Sequence, residues 1–527
     1  MKHNRGYKSV KVFIILFLII SIVLPLFALI LNIHPDDFVK IISSPQFQPM
    51  VLNSLLTTTI ATCISTSLAF LLAWCIHRSH IRYKSFFSIL LILPMFIPSI
   101  SHGTGLLLLL GDNGFLTNIF GINVHLYGYI GIILGSILYS FPVAFLMLIN
   151  ILRYEDYTTY EAAQVLGLSK FQQFKAITLP YMTKPLIAVI FAVFTMIITD
   201  YGVPLVVGGK VLTLPVYMYR EVIGLLDFSK GTIIGLMLLI PAFVAFIFDV
   251  ITSDVIHSST VVKLYKAPIN KKRDCLSYIL CILMSICICA PLFLFLYLSF
   301  VKQYPIDMSF SLDNIKKAFQ LGMGVYLESS LVVALLTSFI GVGITYITAF
   351  ITSRSKHSFS NLALHLISMI SLAIPGIVLG LCYVFFFKGS FIYGSVMILI
   401  LVNITHFFAS PYLLAFNSLS KFHRNLEDVS STLGISKLRM LWDIYIPSTK
   451  ETIIEMFSYM FVNAMVTISA VSFLANFRNL PLSLLIPQFD SQSLIEATAF
   501  ISIVILIVNV GMKGMIYFLK KIYSRNI

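Results

Sequence analysis

Long apolar segments alternate with short polar ones along the whole chain, and each apolar segment is long enough for a membrane-spanning helix of about 20 residues. Residues 12–31, 53–76, 86–110, 129–149, 185–206 and 231–251 form the first six segments, and residues 276–300, 329–351, 362–387, 393–419, 452–474 and 497–519 form the second six. The pattern predicts an all-α integral membrane protein with about twelve transmembrane helices. It leaves open a re-entrant segment between the fifth and sixth spans of each half.

Composition agrees with this prediction and limits the partners. The chain is 58% hydrophobic and 11% charged, whereas soluble domains carry about 25% charged residues. Its net charge of +14 could indicate nucleic-acid binding, but 27 of the 36 Lys and Arg residues fall on one side of the predicted membrane. Basic loops are typical of the cytoplasmic side. We therefore expect both termini and the central linker in the cytoplasm, and no nucleic-acid partner.

The two halves of the chain are related in sequence. Residues 161–180, EAAQVLGLSKFQQFKAITLP, align without gaps to residues 428–447, DVSSTLGISKLRMLWDIYIP, and the second spans align so that Arg78 matches Arg354. Because six spans is an even number, both copies enter the membrane in the same orientation. The prediction is a first repeat at 1–252 with a loop at 153–184, a cytoplasmic linker at 253–275, and a second repeat at 276–527 with a degenerate loop at 420–451.

Each duplicated loop is predicted to contain two short helices joined at a fixed corner. In the first copy Gly167 can end a helix in the left-handed conformation, Ser169 and Gln172 can form a capping box, and Pro180 is expected to end the second helix. The residues alone allow two interpretations. The helix pair could dock into a groove of another protein, or it could lie on the membrane surface as an amphipathic elbow.

The first loop resembles the signature loop of type I ABC importer permeases. It has Glu161-Ala162-Ala163, three residues, Gly167, nine residues, Ile177, one residue and Leu179-Pro180. The resemblance extends over both halves, and fused permeases of this size are similar to those of ferric iron, thiamine and phosphonate importers. It implies the type I permease fold in a bacterial cytoplasmic membrane. It also implies two partners, a cytoplasmic ABC ATPase, in two copies, and an extracytoplasmic substrate-binding protein.

The resemblance further implies that Glu161, Ala162, Ala163 and Gly167 transmit nucleotide-driven movements of the ATPase to the membrane helices. The matching residues of the second loop are Asp428 and Gly434, but Val429 and Ser430 replace the two alanines, and Arg439 stands where a capping box needs Gln or Glu. We therefore expect only a single cap there. We also expect asymmetric coupling, because the bulkier Val429 changes the face that the ATPase would contact.

Candidate residues for the translocation path lie near the end of the fifth span of each half. Asp200 and Thr199 occupy this place in the first half, and Thr467 and Ser469 occupy it in the second. An ionisable group at membrane depth is a functional candidate. The alternative is that Asp200 is a helix-end residue that faces external water.

Several kinds of chemistry have no motif in this sequence. There is no GxxxxGK[ST] loop, so we expect ATP to be hydrolysed by another chain and no cofactor to be bound by this one. The seven cysteines lack metal-site spacing, which favours reduced, buried side chains and no metal site. We expect a permease and not an enzyme. The alternative is an ion-coupled secondary transporter with two six-span repeats, which would need more intramembrane charges than these segments contain.

Overall fold

The computed structural model describes residues 5–121, 124–253, 263–265, 267–355 and 358–525. Residues 254–262 and 266 of the predicted linker, and the basic residues Lys2 and Lys356, lie outside this range. The described chain is mostly helical. It divides into two compact units, and each unit takes segments from both halves of the sequence.

The first unit comprises Met1–Ile41, Met218–Leu239 and Ile315–Ile527. Before residue 240 its α-helices are Arg5–Leu18, Leu24–Leu31, Pro35–Ile42 and the start of Phe228–Ser253, with π-helical turns at Ile19–Val23 and Arg220–Gly224. From residue 313 the α-helices are Asp313–Gln320, Met323–Ser353, Phe359–Ile370, Gly376–Phe387, Val396–His406, Ala409–Ser420, Asn425–Thr432, Lys437–Met440, Ile446–Ser448, Lys450–Val466, Leu485–Ser491 and Ile495–Arg525, with a π turn at Leu441–Tyr445 and a 3-10 turn at Leu482–Leu484.

The second unit comprises Ile42–Tyr217 and Ile240–Asn314. Its α-helices are Phe47–Arg78, Lys84–Ile92, Ser99–Leu110, Phe115–Phe120, Tyr129–Arg153, Thr158–Val165, Lys170–Gln173, Leu179–Ile198, Gly202–Val207, Leu214–Tyr219, the end of Phe228–Ser253, and Lys271–Leu298. A 3-10 turn at Leu93–Phe96 and a π turn at Phe174–Thr178 complete them. The antiparallel strands Val301–Gln303 and Asp307–Phe310 follow the last helix.

The first helix of each half packs in the unit that is formed mostly by the other half. In the second unit, Cys281 and Ile288 of Lys271–Leu298 join a buried cluster with residues such as Leu72 and Phe145. In the first unit, the hydroxyl of Tyr383 donates to the carbonyl oxygen of Ser21, on the first helix of the chain, at 2.9 Å. Apolar periodicity predicts the helices, but it does not specify which partner covers each one.

Eight of the twelve predicted spans are single helices long and apolar enough to cross a membrane, within the described residues. Two further predicted spans are bent pairs, Lys84–Phe96 with Ser99–Phe120 at 104° and Val396–His406 with Ala409–Ser420 at 51°, which gives ten if each pair counts as one span. The predicted span at 362–387 corresponds to the two short helices Phe359–Ile370 and Gly376–Phe387. The predicted span at 452–474 corresponds to the 17-residue helix Lys450–Val466.

Two of the breaks have a local cause in the sequence. Pro94 and Pro98 flank the first bend, and Pro375 precedes Gly376–Phe387. Proline lacks the amide hydrogen that a helix interior needs, and it disfavours a helical conformation in the residue before it. At these places the predicted spans are present as shorter helices separated by bends.

The cysteine prediction is only partly confirmed. All seven are free thiols, but Cys63, Cys275 and Cys287 are exposed.

Candidate functional site: the two duplicated loops

The first loop has the corner that its sequence predicts. Helix Thr158–Val165 ends at Leu166, and Gly167 follows with φ of +72°, which is a left-handed conformation that favours glycine. Ser169 then accepts a hydrogen bond from the amide of Gln172, while the Gln172 side chain accepts one from the amide of Ser169. The capping box is thus confirmed.

The second loop repeats this geometry with fewer caps. Gly434 has φ of +68°, and Ser436 accepts a hydrogen bond from the amide of Arg439 at 3.2 Å. The single cap is confirmed. The backbone of the corner is the same in both copies, since Leu168 donates to the carbonyl of Ala163 and Ile435 donates to the carbonyl of Ser430.

The prediction that Pro180 ends the second short helix was wrong. Residues Lys170–Ile198 form one continuous helix, so the loop runs directly into the fifth membrane span. A π-helical turn at Phe174–Thr178 ends two residues before the proline. Such a turn changes the hydrogen-bond register, so the missing amide of Pro180 interrupts the helix less than it would in a regular α-helix.

The predicted contact residues lie on different faces of the first short helix. Ala163 is 4% exposed and packs inward, whereas Ala162 is exposed. The second loop follows the same pattern, with Ser430 buried and Val429 exposed. The replacement of alanine by Val429 therefore changes the outer face of the second loop.

Glu161 and Asp428 differ in their surroundings. The Glu161 carboxylate forms an ion pair with the ammonium group of Lys263, in the linker. The side chain of Asp428 is exposed and makes no ion pair with any residue that the structure describes. The two aligned acidic residues thus hold the same place in sequence but not the same contacts.

A buried arginine clamps the first loop to the second membrane span. Arg78, the last residue of helix Phe47–Arg78, forms an ion pair with Glu155, and the two side chains are 5% and 2% exposed. Arg78 also donates to the hydroxyl of Tyr160 at 2.7 Å, and this hydroxyl lies 2.5 Å from that of Thr178. One side chain thereby joins the end of a membrane helix to both helices of the loop.

A second arginine does the same in the other copy. Arg354 donates to both carboxylate oxygens of Glu427, each at 2.6 Å, and to the carbonyl oxygen of Phe422 at 2.7 Å. The hydroxyl of Tyr445 donates to the same carboxylate at 2.6 Å. A bidentate arginine–carboxylate pair fixes both distance and orientation.

The two clamps use equivalent arginines but different partners. In the alignment of the loops, Tyr160 of the first copy matches Glu427 of the second, and Thr178 matches Tyr445. From the sequence, Arg78 aligns with Arg354, and both are expected only to contribute to the cytoplasmic positive charge. An arginine retained at the same place in both copies was the available signal for these clamps, whereas their carboxylate partners come from unmatched positions.

Burial affects the two carboxyl groups differently. Burial raises the pKa of Glu155 above its ordinary value, and the opposing effect of Arg78 does not cancel this shift. Burial also acts on Glu427, but the hydrogen bonds from Arg354 and Tyr445 outweigh it and lower the pKa of this carboxyl group. The first clamp is therefore the less favourable place for a negative charge.

The path candidates of the first half lie where the fifth span ends at Ile198. Asp200 is only 8% exposed, so the alternative that it faces external water was wrong. Its carboxylate accepts hydrogen bonds from the amide of Val203 at 2.9 Å and from the side chain of Ser99. Thr199 donates to the carbonyl of Thr195 at 2.8 Å, within its own helix.

Asp200 also lines a small cavity within the second unit. The other polar residues of its lining are Ser54, Thr57, Thr58, Ser136 and Thr213. The hydroxyl groups and the carboxylate make this lining polar, as in cavities that hold a buried water. Asp200 is the only one of the four predicted path residues in this lining.

The path candidates of the second half lie at the matching break, where helix Lys450–Val466 ends before Thr467. The carbonyl oxygen of Thr467 accepts a hydrogen bond from the hydroxyl of Ser483 at 2.8 Å. Ser469 lies against Gly376, in the space that a Cβ atom there would fill. Both fifth spans thus end in non-helical backbone lined by polar side chains.

Comparison with known proteins identifies the family. The sequence profile of the family described as "binding-protein-dependent transport system inner membrane component" matches residues 65–254 and again residues 341–523. The chain belongs to this permease family. Two matches in one chain also show that the permease is internally duplicated.

Individual relatives have transport-related names. The permease is 27% identical to the ferric transport system permease protein of Actinobacillus pleuropneumoniae over 88% of its own length and 70% of the relative. It is 27% identical to a probable sulfate transport system permease protein of Chlorokybus atmophyticus, over 42% of its length and 81% of the relative. It is 29% identical to the molybdenum transport system permease protein of Haemophilus influenzae, over 29% of its own length and 71% of the relative.

These matches define the general role of the chain. It is a multi-pass inner-membrane component of an ABC importer, with the mostly helical type I permease fold in two repeats, and it is not an enzyme. Membership of a binding-protein-dependent family implies an ATPase and a substrate-binding protein as partners.

Proposed function

We propose that this permease imports ferric iron and that its two duplicated loops couple the import to a separate ATPase. The support for the substrate is the extent of similarity. The ferric transport relatives align with 88% of the chain, including both halves, whereas the sulfate and molybdenum relatives align with less than half of it.

The observation that carries the coupling proposal is the apolar surface at the corner of each loop. In the first loop Val165 is 88% exposed and Phe171 75% exposed; in the second, Leu433 is 68% exposed at the corner, and Trp442, in the π-helical turn that follows the corner, is also 68% exposed. Large apolar side chains at the tips of rigid loops are typical of protein-binding surfaces. Each tip is fixed by an arginine clamp beneath it, so a force on the tip would reach the membrane span.

In this proposal Glu161, Ala162, Ala163 and Gly167 belong to the first coupling loop, at 153–184 in the first repeat. Ala162 contacts the ATPase directly, whereas Ala163 acts from inside by packing the helix against the permease. Asp428 and Gly434 serve the same function in the second loop, at 420–451 in the second repeat. Two ATPase copies would bind, one at each loop, and would use ATP, while this chain binds no cofactor.

The orientation follows from the same arrangement. With the loops in the cytoplasm, the positive-inside rule and the even number of spans in each repeat put both termini and the linker 253–275 there as well. The substrate-binding protein would then contact the opposite face, near the broken ends of the fifth spans. We infer that Thr199, Asp200, Thr467 and Ser469 lie on the translocation path at these breaks.

Reconstitution with purified partners tests the proposal. Liposomes that contain the permease, its ATPase and its binding protein should take up ferric iron only when ATP is supplied. Uptake of thiamine, a phosphonate or sulfate in place of iron would refute the proposal that ferric iron is the substrate. Uptake without any ATPase, driven by an ion gradient, would contradict coupling and favour the secondary-transporter alternative.

A further inference from the structure

The linker between the repeats lies directly against the first loop. Lys263 accepts a backbone hydrogen bond from the amide of Tyr157 at 2.8 Å, and Leu264 forms an antiparallel bridge with Asp156. The side chain of Lys263 then pairs with Glu161, in the signature motif itself. The linker thus attaches to the start of the first short helix through both backbone and side chain.

Tyr265 extends this attachment to the buried clamp. The guanidinium carbon of Arg78 lies 3.5 Å from the centre of the Tyr265 ring. The same ring makes edge contacts with Tyr157 and Tyr160, with centroids 5.1 and 5.3 Å away. A cation that stacks on an aromatic ring and is shielded from water is attracted to it more strongly than an exposed one. Tyr265 therefore covers the ion pair that fixes the loop.

The second loop obtains its equivalent contacts differently. Arg354 lies over the ring of Tyr445, in the loop itself, at 5.5 Å, just as Arg78 lies over the loop ring of Tyr160 at 4.6 Å. Among the described residues, only Arg78 has a linker ring, that of Tyr265, over it as well. The amino-terminal helix touches this loop through Tyr7, whose ring lies 4.8 Å from the ammonium group of Lys437. Within the described residues, that contact is to the second short helix and does not cover the arginine. The two loops are therefore braced unequally.

We propose that the linker is a positioning element of the first coupling loop, with Tyr265 and Lys263 holding it in the geometry through which the permease responds to its ATPase. This inference rests on the coupling function proposed above. Its physical basis is that Tyr265 closes the Arg78 clamp and Lys263 orients Glu161. The linker thus has a mechanical role besides joining the repeats, and that role is confined to one loop.

The test uses the full complex of permease, ATPase and binding protein in lipid nanodiscs. The measured quantity is the stimulation of ATP hydrolysis by the loaded binding protein, relative to basal hydrolysis. Tyr265→Ala should lower this stimulation about fivefold, because it removes a shielded cation–ring contact. Tyr265→Phe keeps the ring and should stay within about twofold of the wild type. Ile269→Ala changes an exposed side chain of the same linker and is the matched control.

The outcomes separate this inference from the coupling proposal. A wild-type complex without stimulation would refute coupling itself. Normal stimulation in both the wild type and Tyr265→Ala would overturn only the role of the linker, as would equal losses in Tyr265→Phe and Tyr265→Ala. If Tyr265→Ala does not assemble, Lys263→Ala decides. The ion pair of Lys263 with Glu161 is half-exposed, so its removal should lower the stimulation of ATP hydrolysis about twofold. Unchanged stimulation in Lys263→Ala would overturn the inference.

Discussion

Replacement of Arg78 by methionine is the perturbation with the largest expected effect. The substitution removes the charge but keeps an unbranched apolar side chain, and it leaves the carboxylate of Glu155 buried without its cation. Both side chains are almost fully buried, so solvent would screen the remaining charge little. Breaking a buried ion pair by removing one partner typically costs about 3–5 kcal/mol.

The second substitution that completes this experiment is Glu155→Leu. Replacement of a whole buried ion pair by apolar residues is often close to neutral, so Arg78→Met with Glu155→Leu should recover most of the lost stability. Arg78→Met alone should therefore lower the thermal midpoint by several degrees. Lys302→Ala, at an exposed pair in the strand hairpin, is the control and should change the midpoint little.

The assay is thermal unfolding of the purified permease in detergent, followed by the stimulated ATPase activity of the reconstituted complex. The single variant should lose both stability and stimulation. The double variant should regain stability but not full stimulation, since it lacks the hydrogen bond from Arg78 to Tyr160. An Arg78→Met protein as stable as the wild type, or a double variant no better than the single one, would refute the reasoning.

Three further predictions concern the loops and the path. Gly167→Asp and Gly434→Asp should each cost about 1 kcal/mol, because both positions are left-handed and aspartate tolerates this conformation better than most residues. Gly167→Asp should reduce stimulated ATPase activity more, and equal losses would contradict asymmetric coupling. Glu427→Gln should be less stable than the wild type by its full amount at neutral pH, above the usual glutamate pKa of about 4.3. The difference in stability should disappear as the pH falls through the lowered pKa of Glu427, and thermal unfolding at a series of pH values measures it. Asp200→Asn keeps a side-chain oxygen that can accept the hydrogen bond from the amide of Val203, so the variant should fold normally. Uptake of iron into liposomes should fall severalfold, and unchanged uptake would show that Asp200 is not on the translocation path.

Local features of the loops were predictable from sequence because they depend on neighbouring residues. Gly167, Ser169 and Gln172 determine the corner and its caps whatever surrounds them. Pro94 and Pro98 were the sequence signal for the bend beside them, but the continuous apolar pattern of this segment favoured a single span. Hydropathy measures only the tendency of a segment to leave water, and it does not report whether the helix is broken.

Features that depend on tertiary contacts were not predictable in this way. Nothing near Glu155 or Glu427 in the sequence shows which carboxylate pairs with which arginine, since the partners come from unmatched positions of the two copies. The role of Asp200 as a buried acceptor for Ser99 and Val203 depends on how separate helices meet. The contact of the linker with the first loop likewise requires the folded chain.

Cross-linking from the first loop is the most direct test of the claim that this loop contacts the ATPase. A cysteine would replace Ala162, which is exposed, or Ala163, which is buried, in a variant without native cysteines. With a thiol-reactive photo-cross-linker, Ala162→Cys should give an adduct with the ATPase and Ala163→Cys should not. An Ala162→Cys protein that forms adducts only with lipid, in a complex that contains the ATPase, would contradict the account.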